Sequence, residues 1–150
     1  MKDVILNHGI YPMPIGGKGL AMVDARDIGE IAALELARRE QASEPLPLER
    51  IDVVGPETLT GSDIARIWTE VLNRQVVYGG DDTSAFEKTL RNFRPTWMAY
   101  DMRMMAERFQ TDGMVPAAGD VERLTKLLGR PLRSYRQFAT EVAATQARHG

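Results

Sequence analysis

Three short apolar runs alternate with amphipathic helical segments along the first half of the chain. The runs cover residues 20–23, 50–54 and 75–78, and a capping or turn residue stops each of them. Apolar runs of this length, bounded by turn signals, predict buried strands. The rest of the chain has helical periodicity, which predicts helices over 84–93, 96–109, 121–128 and 134–147. This order predicts an α/β fold, with a few short strands, flanking helices and a C-terminal helical cap.

The glycine-rich stretch that begins at Pro14 looks at first like a nucleotide-binding turn, but its spacing is wrong. A phosphate loop needs a glycine six residues before its lysine and a hydroxyl residue after it. Lys18 instead has Pro12 and Gly19 at those positions. The dinucleotide fingerprint fails as well, because Met22 stands where the third glycine belongs. We therefore interpret these glycines as a turn that leads into a strand.

Helix starts and apolar faces are marked clearly. Asp24 and Asp27 have the N-cap and N3 spacing of one helix, and Thr60 with Asp63 forms a variant of the capping box of the next. The carboxylates of Asp24 and Asp27 are close enough in the chain to resemble a catalytic pair, but capping of the helix explains both. The expected buried faces are Ile28, Ile31, Ala32 and Leu36 in the first helix, Ile64, Ile67, Trp68 and Val71 in the second, and Tyr135, Phe138, Ala139 and Val142 in the last.

Composition excludes several classes of function. A chain of 150 residues with 43% hydrophobic and 27% charged residues is typical of one soluble globular domain, residues 1–150. A net charge of −2 argues against a nucleic-acid partner. No apolar run reaches the ~20 residues that span a bilayer, residues 1–9 do not form a signal peptide, and there are no cysteines. We therefore expect a cytoplasmic protein without membrane contact.

Recognisable catalytic patterns are missing. His8 and His149 lie near opposite ends and lack metal-ligand spacing. No tyrosine has a lysine four residues later, as short-chain reductases require, and no G-x-S-x-G elbow is present. The sequence therefore predicts no catalytic, metal-binding or cofactor-binding residue.

The most unusual segment is "FRPTWMAYDMRMM", residues 93–105. Phe93, Trp97, Tyr100 and Met104 share one face at helical spacing, beside a second stripe of methionines. One interpretation is core packing against the α/β body. The other is a ligand pocket, because methionine adapts its shape and aromatic rings stack on flat molecules.

The order of several segments resembles the NmrA-like family of atypical short-chain dehydrogenases. "AMVDARDIGEIAALEL" (21–36), "RIDVVGPETLTGSDIARIWTEVLNRQVVY" (50–78) and "LTKLLGRPLRSYRQFATEVA" (124–143) are similar to successive parts of that family. The resemblance implies the C-terminal, substrate-binding half of a Rossmann-like fold. The N-terminal half, which binds NAD(P), has no counterpart in this chain. By resemblance Met13, Phe93, Trp97, Tyr100 and Met104 would face a substrate.

Three hypotheses follow from this resemblance. The first is a ligand-binding or accessory half-domain that cannot catalyse a reaction alone. The second is a fragment of an NAD(P)H-dependent quinone or carbonyl reductase, or of an enzyme like a nucleotide-sugar epimerase. The third is a non-catalytic regulatory protein. Unpaired strand edges predict a homodimer or a separate Rossmann partner. A small apolar or aromatic ligand fits all three, and no cofactor is expected on this chain alone.

Overall fold

The computed structural model describes residues 2–149, with side chains for residues 2–146. Seven helices and two strands make up the described part. In chain order they are α1 (Lys2–His8), β1 (Ile10–Tyr11), α2 (Ala25–Glu40), α3 (Gly61–Leu72), β2 (Val77–Tyr78), α4 (Thr83–Leu90), α5 (Thr96–Asp112), α6 (Asp120–Leu128) and α7 (Tyr135–His149). The side chain of His149 lies outside the described residues. Among the described helices none is long and apolar enough to span a membrane.

The sheet is smaller than the sequence predicts. β1 and β2 pair in parallel, with Ile10 opposite Val77 and Tyr11 opposite Tyr78. The strand expected over residues 75–78 is therefore confirmed for its second half. The strand expected over 20–23 is reduced to single bridges from Leu20, and the one expected over 50–54 does not form. Strand formation requires a hydrogen-bonded neighbour, and these two segments lack a continuous one.

The helices agree with the periodicity of the sequence, with small shifts at their ends. The Asp24 side chain accepts a hydrogen bond from the Arg26 backbone and so caps α2, as expected. Thr60 and Asp63 form a complete capping box at the start of α3, also as expected. The α1 helix and the two-residue strand β1 were not predicted, because each is too short to show a clear period.

The main core surrounds α3. Trp68 and Ile64 are completely buried there, together with Tyr11 from β1 and Ala139 from α7. The indole Nε1 of Trp68 donates a 3.1 Å hydrogen bond to the hydroxyl of Tyr135, which joins α3 to α7. The expected faces of α3 and α7 are thus confirmed in part. Val71, Tyr135 and Val142 are half-buried and pack against this core, whereas Phe138 remains 39% exposed.

A second core cluster lies between α2 and α6. Ile31, Leu124 and Leu132 are buried in it, and the side chains of Ile51, Val53 and Val54 pack against it. Only Ile31 of the expected α2 face is buried. Ile28 and Leu36 are 45% and 69% exposed, and Ala32 is exposed as well. The predicted buried face of α2 is therefore wrong in part, because no element of the described chain covers Ile28, Ala32 or Leu36.

Asp27 has a different role from the one the sequence predicts. Its side chain is fully buried and accepts hydrogen bonds from the Arg130 guanidinium at 2.8 Å, from the Arg133 backbone at 2.8 Å and from the Arg133 guanidinium. Burial alone would raise the pKa of Asp27, but these hydrogen bonds outweigh it and hold the pKa below its usual range. Asp27 therefore joins α2 to the loop before α7, and the capping interpretation is wrong.

Candidate functional site

A cleft of about 870 Å³ opens between α1, the start of α2 and α7. We call it the α7 cleft. Its apolar lining comes from separate parts of the chain, namely Leu6, Met22, Met114, Tyr135, Phe138 and Val142. Ligand sites in proteins are commonly clefts of this size with mostly apolar walls. The α7 cleft is therefore a candidate binding site for a small molecule.

Both arginines that line the α7 cleft have carboxylate partners. The Arg26 guanidinium lies 2.7 Å from the Asp24 carboxylate and 2.8 Å from the Glu141 carboxylate. The hydrogen bond from Arg26 lowers the pKa of Asp24 to about 2. Arg133, which also lines the cleft, is held by Asp27. Because both arginines already have carboxylate partners, they have little charge to offer a ligand, and Lys2 is the remaining cation of the described lining.

Tyr135 is one of the titratable residues that line the α7 cleft. The hydroxyl of Tyr135 accepts the Trp68 hydrogen bond, and burial raises the pKa of Tyr135. A tyrosine of this kind is neutral at physiological pH. Among the described residues, no group of three His, Cys, Asp or Glu side chains is placed to hold a metal ion. The cleft therefore offers shape and apolar contact, and its residues do not identify a reaction.

Four of the five predicted substrate-binding residues lie on another surface. Phe93 lies in the turn between α4 and α5, whereas Trp97, Tyr100 and Met104 belong to α5. The four are 73%, 63%, 48% and 44% exposed, and we call them the α5 stripe. The core-packing interpretation is wrong for the α5 stripe, because none of its members is buried. Met13 is half-buried and packs against the main core. None of the five lines the α7 cleft as the described side chains define it.

The α5 stripe faces outward because the opposite side of α5 is fixed. Ala99 and Ala106 are buried on that side. The Arg103 guanidinium lies 2.6 Å from the Glu87 carboxylate of α4 and 5.1 Å from the centre of the Tyr100 ring. Because α4 and α5 are joined in this way, the aromatic side chains lie on a surface that is held by both helices. Such a surface can stack a flat molecule.

The glycine-rich turn does not form a phosphate site. The backbone N–H groups of Ile15 and Gly16 donate to the Tyr78 hydroxyl at 3.0 and 3.2 Å, and Gly16 also donates to Asp81 at 2.8 Å. Burial, followed by the hydrogen bond to Asp81, raises the pKa of Tyr78 to about 12. Two backbone donors of this turn are thus already used within the chain, in agreement with the interpretation from sequence.

The sequence matches no known family model. It is 26% identical over 143 residues to an NAD(P)H azoreductase of Xenophilus azovorans, a match that covers 95% of this chain and 47% of that protein. The chain therefore spans about half the length of this curated relative.

Solved structures of other proteins also match this chain over about half of their own length. The chain superposes on the NADPH-dependent quinone oxidoreductase of Escherichia coli with a TM-score of 0.74 at 18% identity, over 93% of this chain and 48% of that one. It superposes on the Citrobacter triphenylmethane reductase, complexed with NADP(H), with a TM-score of 0.71 at 18% identity, over 91% and 45% of the two chains. A nucleoside-diphosphate-sugar epimerase of Staphylococcus aureus gives 0.70 at 12% identity, over 91% and 45%.

This chain has the fold of one half of these proteins. The expected Rossmann-like α/β relationship is confirmed at that level, and the extent of the match is consistent with a C-terminal half. The α7 cleft is not predicted by the sequence. Its lining residues are far apart in the chain. The sequence pattern that concerned them was the helical spacing of Phe138 and Val142, and that pattern predicted burial in the core instead of a cleft.

Proposed function

We propose that this chain is the substrate-side half of an NAD(P)H-dependent reductase of NmrA-like type. The observation that carries the proposal is the match to the azoreductase, which extends over nearly all of this chain and only half of the relative. The second sequence-based hypothesis, a fragment of a reductase or of an epimerase-like enzyme, is therefore favoured over an independent accessory domain. The chain alone would turn over no substrate.

NAD(P)H would be held by a Rossmann half that this chain does not contain. That half is supplied either by further residues of the same polypeptide or by a separate partner. The described residues agree with this division, because the backbone N–H of Gly16 already donates to Tyr78 and Asp81 within this chain. A homodimer of this chain is the alternative assembly, and the exposed α2 face is available to either partner.

We further propose that the substrate is a flat aromatic molecule. An azo compound, a quinone and a triphenylmethane dye are the substrates that the relatives' names indicate. All of them are planar or contain planar rings, and the exposed rings of Trp97 and Tyr100 present flat apolar faces. Stacking on such rings contributes about 0.5–1.5 kcal/mol per pair. The five residues predicted from sequence, Met13 and the α5 stripe, remain our proposal for the substrate contacts.

A chimeric enzyme tests the proposal. This chain would replace the matching region of the Xenophilus azovorans azoreductase, and NADPH oxidation would be followed with an azo dye and with a naphthoquinone. We expect turnover by the chimera and none by the chain alone. Trp97→Ala should lower kcat/KM by about 3- to 10-fold, the equivalent of one lost stacking pair. A folded chimera that binds NADPH but reduces neither compound would contradict the proposal.

A matched control separates substrate contact from general loss of apolar surface. Leu48 is fully exposed at 101% and lies outside both the α5 stripe and the α7 cleft. Leu48→Ala in the chimera should therefore leave kcat/KM unchanged. Equal losses for Trp97→Ala and Leu48→Ala would remove the argument for the α5 stripe while leaving the reductase assignment intact.

A further inference from the structure

A buried carboxylate lies between the two helices α4 and α5. Glu87 of α4 is 9% exposed, and each of its carboxylate oxygens has its own partner. One oxygen lies 2.5 Å from the Arg91 guanidinium at the end of α4, and the other lies 2.6 Å from Nε of Arg103 in α5. The hydrogen bonds from Arg91 and Arg103 outweigh burial and hold the pKa of Glu87 below its usual range. Glu87 therefore remains charged and holds one arginine with each oxygen.

The Arg103 guanidinium is held by both helices. Its Nε donates to Glu87 of α4, and its Nη1 donates to Glu107, one turn further along α5. The Thr83 hydroxyl of α4 donates to the same Glu107 carboxylate at 3.2 Å. Because a guanidinium is planar, hydrogen bonds at two of its nitrogens fix the orientation of the whole group.

The fixed guanidinium lies over the ring of Tyr100. The distance from Cζ of Arg103 to the ring centre is 5.1 Å, which is within the ~6 Å range of a cation–π contact. Arg103 itself shares the inner side of α5 with the buried Ala99 and Ala106, at positions i, i+4 and i+7. Tyr100 is 48% exposed. Arg103 therefore joins the fixed side of α5 to an exposed ring of the α5 stripe.

Stability alone does not account for these charges. Apolar residues of similar volume replace a poorly exposed ion pair with a neutral or even favourable effect on the free energy of unfolding. Ala99 and Ala106 already give this side of α5 an apolar contact. What a guanidinium held by two carboxylates adds is a fixed direction, and the ring in that direction is Tyr100.

We propose that Arg103 is a positioning residue that holds the Tyr100 ring for stacking on a flat substrate. The proposal rests on the proposed function, which assigns substrate contact to the α5 stripe. A side chain that becomes immobile when a ligand binds weakens the binding by its lost freedom. A ring that Arg103 already holds loses less. The contribution acts on substrate affinity and leaves the chemical step unchanged, so it belongs in KM and not in kcat.

A matched pair of arginine variants tests the proposal in the azoreductase chimera. Arg103→Met and Arg91→Met each remove one partner of Glu87, but Arg103 lies over the Tyr100 ring and Arg91 does not. We expect Arg103→Met to raise KM for a naphthoquinone by about 3- to 10-fold with kcat unchanged, and Arg91→Met to leave both unchanged. Equal rises in KM would reduce the cluster to a link between the helices and would overturn the proposal.

A double-mutant cycle shows whether Arg103 acts through the ring. In a Tyr100→Leu background, Arg103→Met should raise KM no further, because the ring that it positions is gone. A rise of the same size in both backgrounds would contradict the proposal. If Arg103→Met does not fold, Arg103→Lys takes its place, since it keeps a cation between Glu87 and Glu107 but replaces the plane by a point charge. Its KM should rise only where Tyr100 is present, and no rise there would count against the positioning role.

The outcome is separable from that of the reductase proposal. Fluorescence titration of the chain alone with the naphthoquinone gives Kd without turnover. An inactive chimera, together with a Kd that rises for Arg103→Met and not for Arg91→Met, would support the positioning role and contradict the function. An active chimera in which both variants keep the original KM would support the function and overturn the positioning role.

Discussion

The Asp27 carboxylate accepts a 2.8 Å hydrogen bond from the backbone N–H of Arg133, a residue 106 positions further along the chain. The same carboxylate pairs with the guanidinium groups of Arg130 and Arg133. One fully buried side chain therefore fixes the start of α2 to the loop that leads into α7. That loop also contributes Arg133 and Ser134 to the α7 cleft, so the contact affects the shape of the candidate site.

Replacing Asp27 should destabilise the fold strongly. Asp27→Ala leaves two partly buried arginines with fewer partners, and removal of one member of a buried ion pair costs about 3–5 kcal/mol. We expect the lower end, because Glu30 still contacts both arginines. Urea denaturation measures the change. Glu30→Ala is the matched control, and its effect should be much smaller because Glu30 is 40% exposed. Equal losses would show that burial of Asp27 is not the cause.

Stability should fall in acid through the two aspartates at the start of α2. The pKa of Asp24 is lowered from 3.8 to about 2, and that of Asp27 is lowered as well. Because both folded-state values lie below the unfolded ones, the stabilisation is complete above about pH 4 and is lost as the pH falls toward 2. Unfolding free energies across this range provide the measurement.

An Asp24→Asn variant is the control for this loss of stability at low pH. Asparagine caps a helix about as well as aspartate does, so the variant removes the titration while keeping the cap. Its free energy of unfolding should fall less steeply between pH 4 and pH 2. An unchanged slope would mean that Asp24 contributes nothing to the pH dependence.

Tryptophan fluorescence should report binding at the α5 stripe. The chain has two tryptophans, of which Trp68 is fully buried and Trp97 is 63% exposed. A naphthoquinone that stacks on the α5 stripe should quench the Trp97 emission with saturation. The Trp97→Phe variant should show only the weak, linear quenching of a buried indole. Saturable quenching that survives in Trp97→Phe would place the quinone elsewhere, with the α7 cleft beside Tyr135 as the first candidate.

Two glycines should respond to alanine in opposite directions. A Cβ at Gly55 would lie 2.0 Å from the carbonyl oxygen of Met22, and backbone cannot move aside as a flexible side chain can. Gly55→Ala should therefore destabilise the chain by about 1–3 kcal/mol or more, as overpacking does. Gly29 lies within α2 and a Cβ there has no atom within 4 Å. Gly29→Ala should stabilise by about 0.5–1 kcal/mol, since alanine favours helix. Thermal unfolding of both variants shows whether each substitution raises or lowers the stability of the chain.

Local signals in the sequence predicted the helices well. The capping box at Thr60 and the buried stripe of Ile64, Ile67 and Trp68 depend only on residues within one helix, and all are present. The same local rule failed for Asp27, because its partners Arg130 and Arg133 lie in a distant loop. No short-range pattern distinguishes a capping carboxylate from one that is buried against remote arginines.

The strands and the candidate site depend more on distant residues. The apolar run at residues 50–54 predicted a buried strand, but a strand also needs a hydrogen-bonded neighbour, and the described chain provides none for this segment. The α5 stripe was recognised as unusual from its spacing alone, and spacing does not say which side of a helix is buried. The α7 cleft joins residues from several segments, and its existence could not be read from any one of them.

The hydroxyl of Tyr78 holds the backbone of Gly16, although 62 residues separate them in the chain. At a synthesis rate of ~5–20 residues per second, Tyr78 follows Gly16 out of the ribosome by roughly 3–12 s. During that interval β1 lacks its partner β2, and the backbone N–H groups of Ile15 and Gly16 lack the Tyr78 hydroxyl that accepts from them. The glycine-rich turn and β1 are therefore open to a chaperone or a protease for those seconds of synthesis.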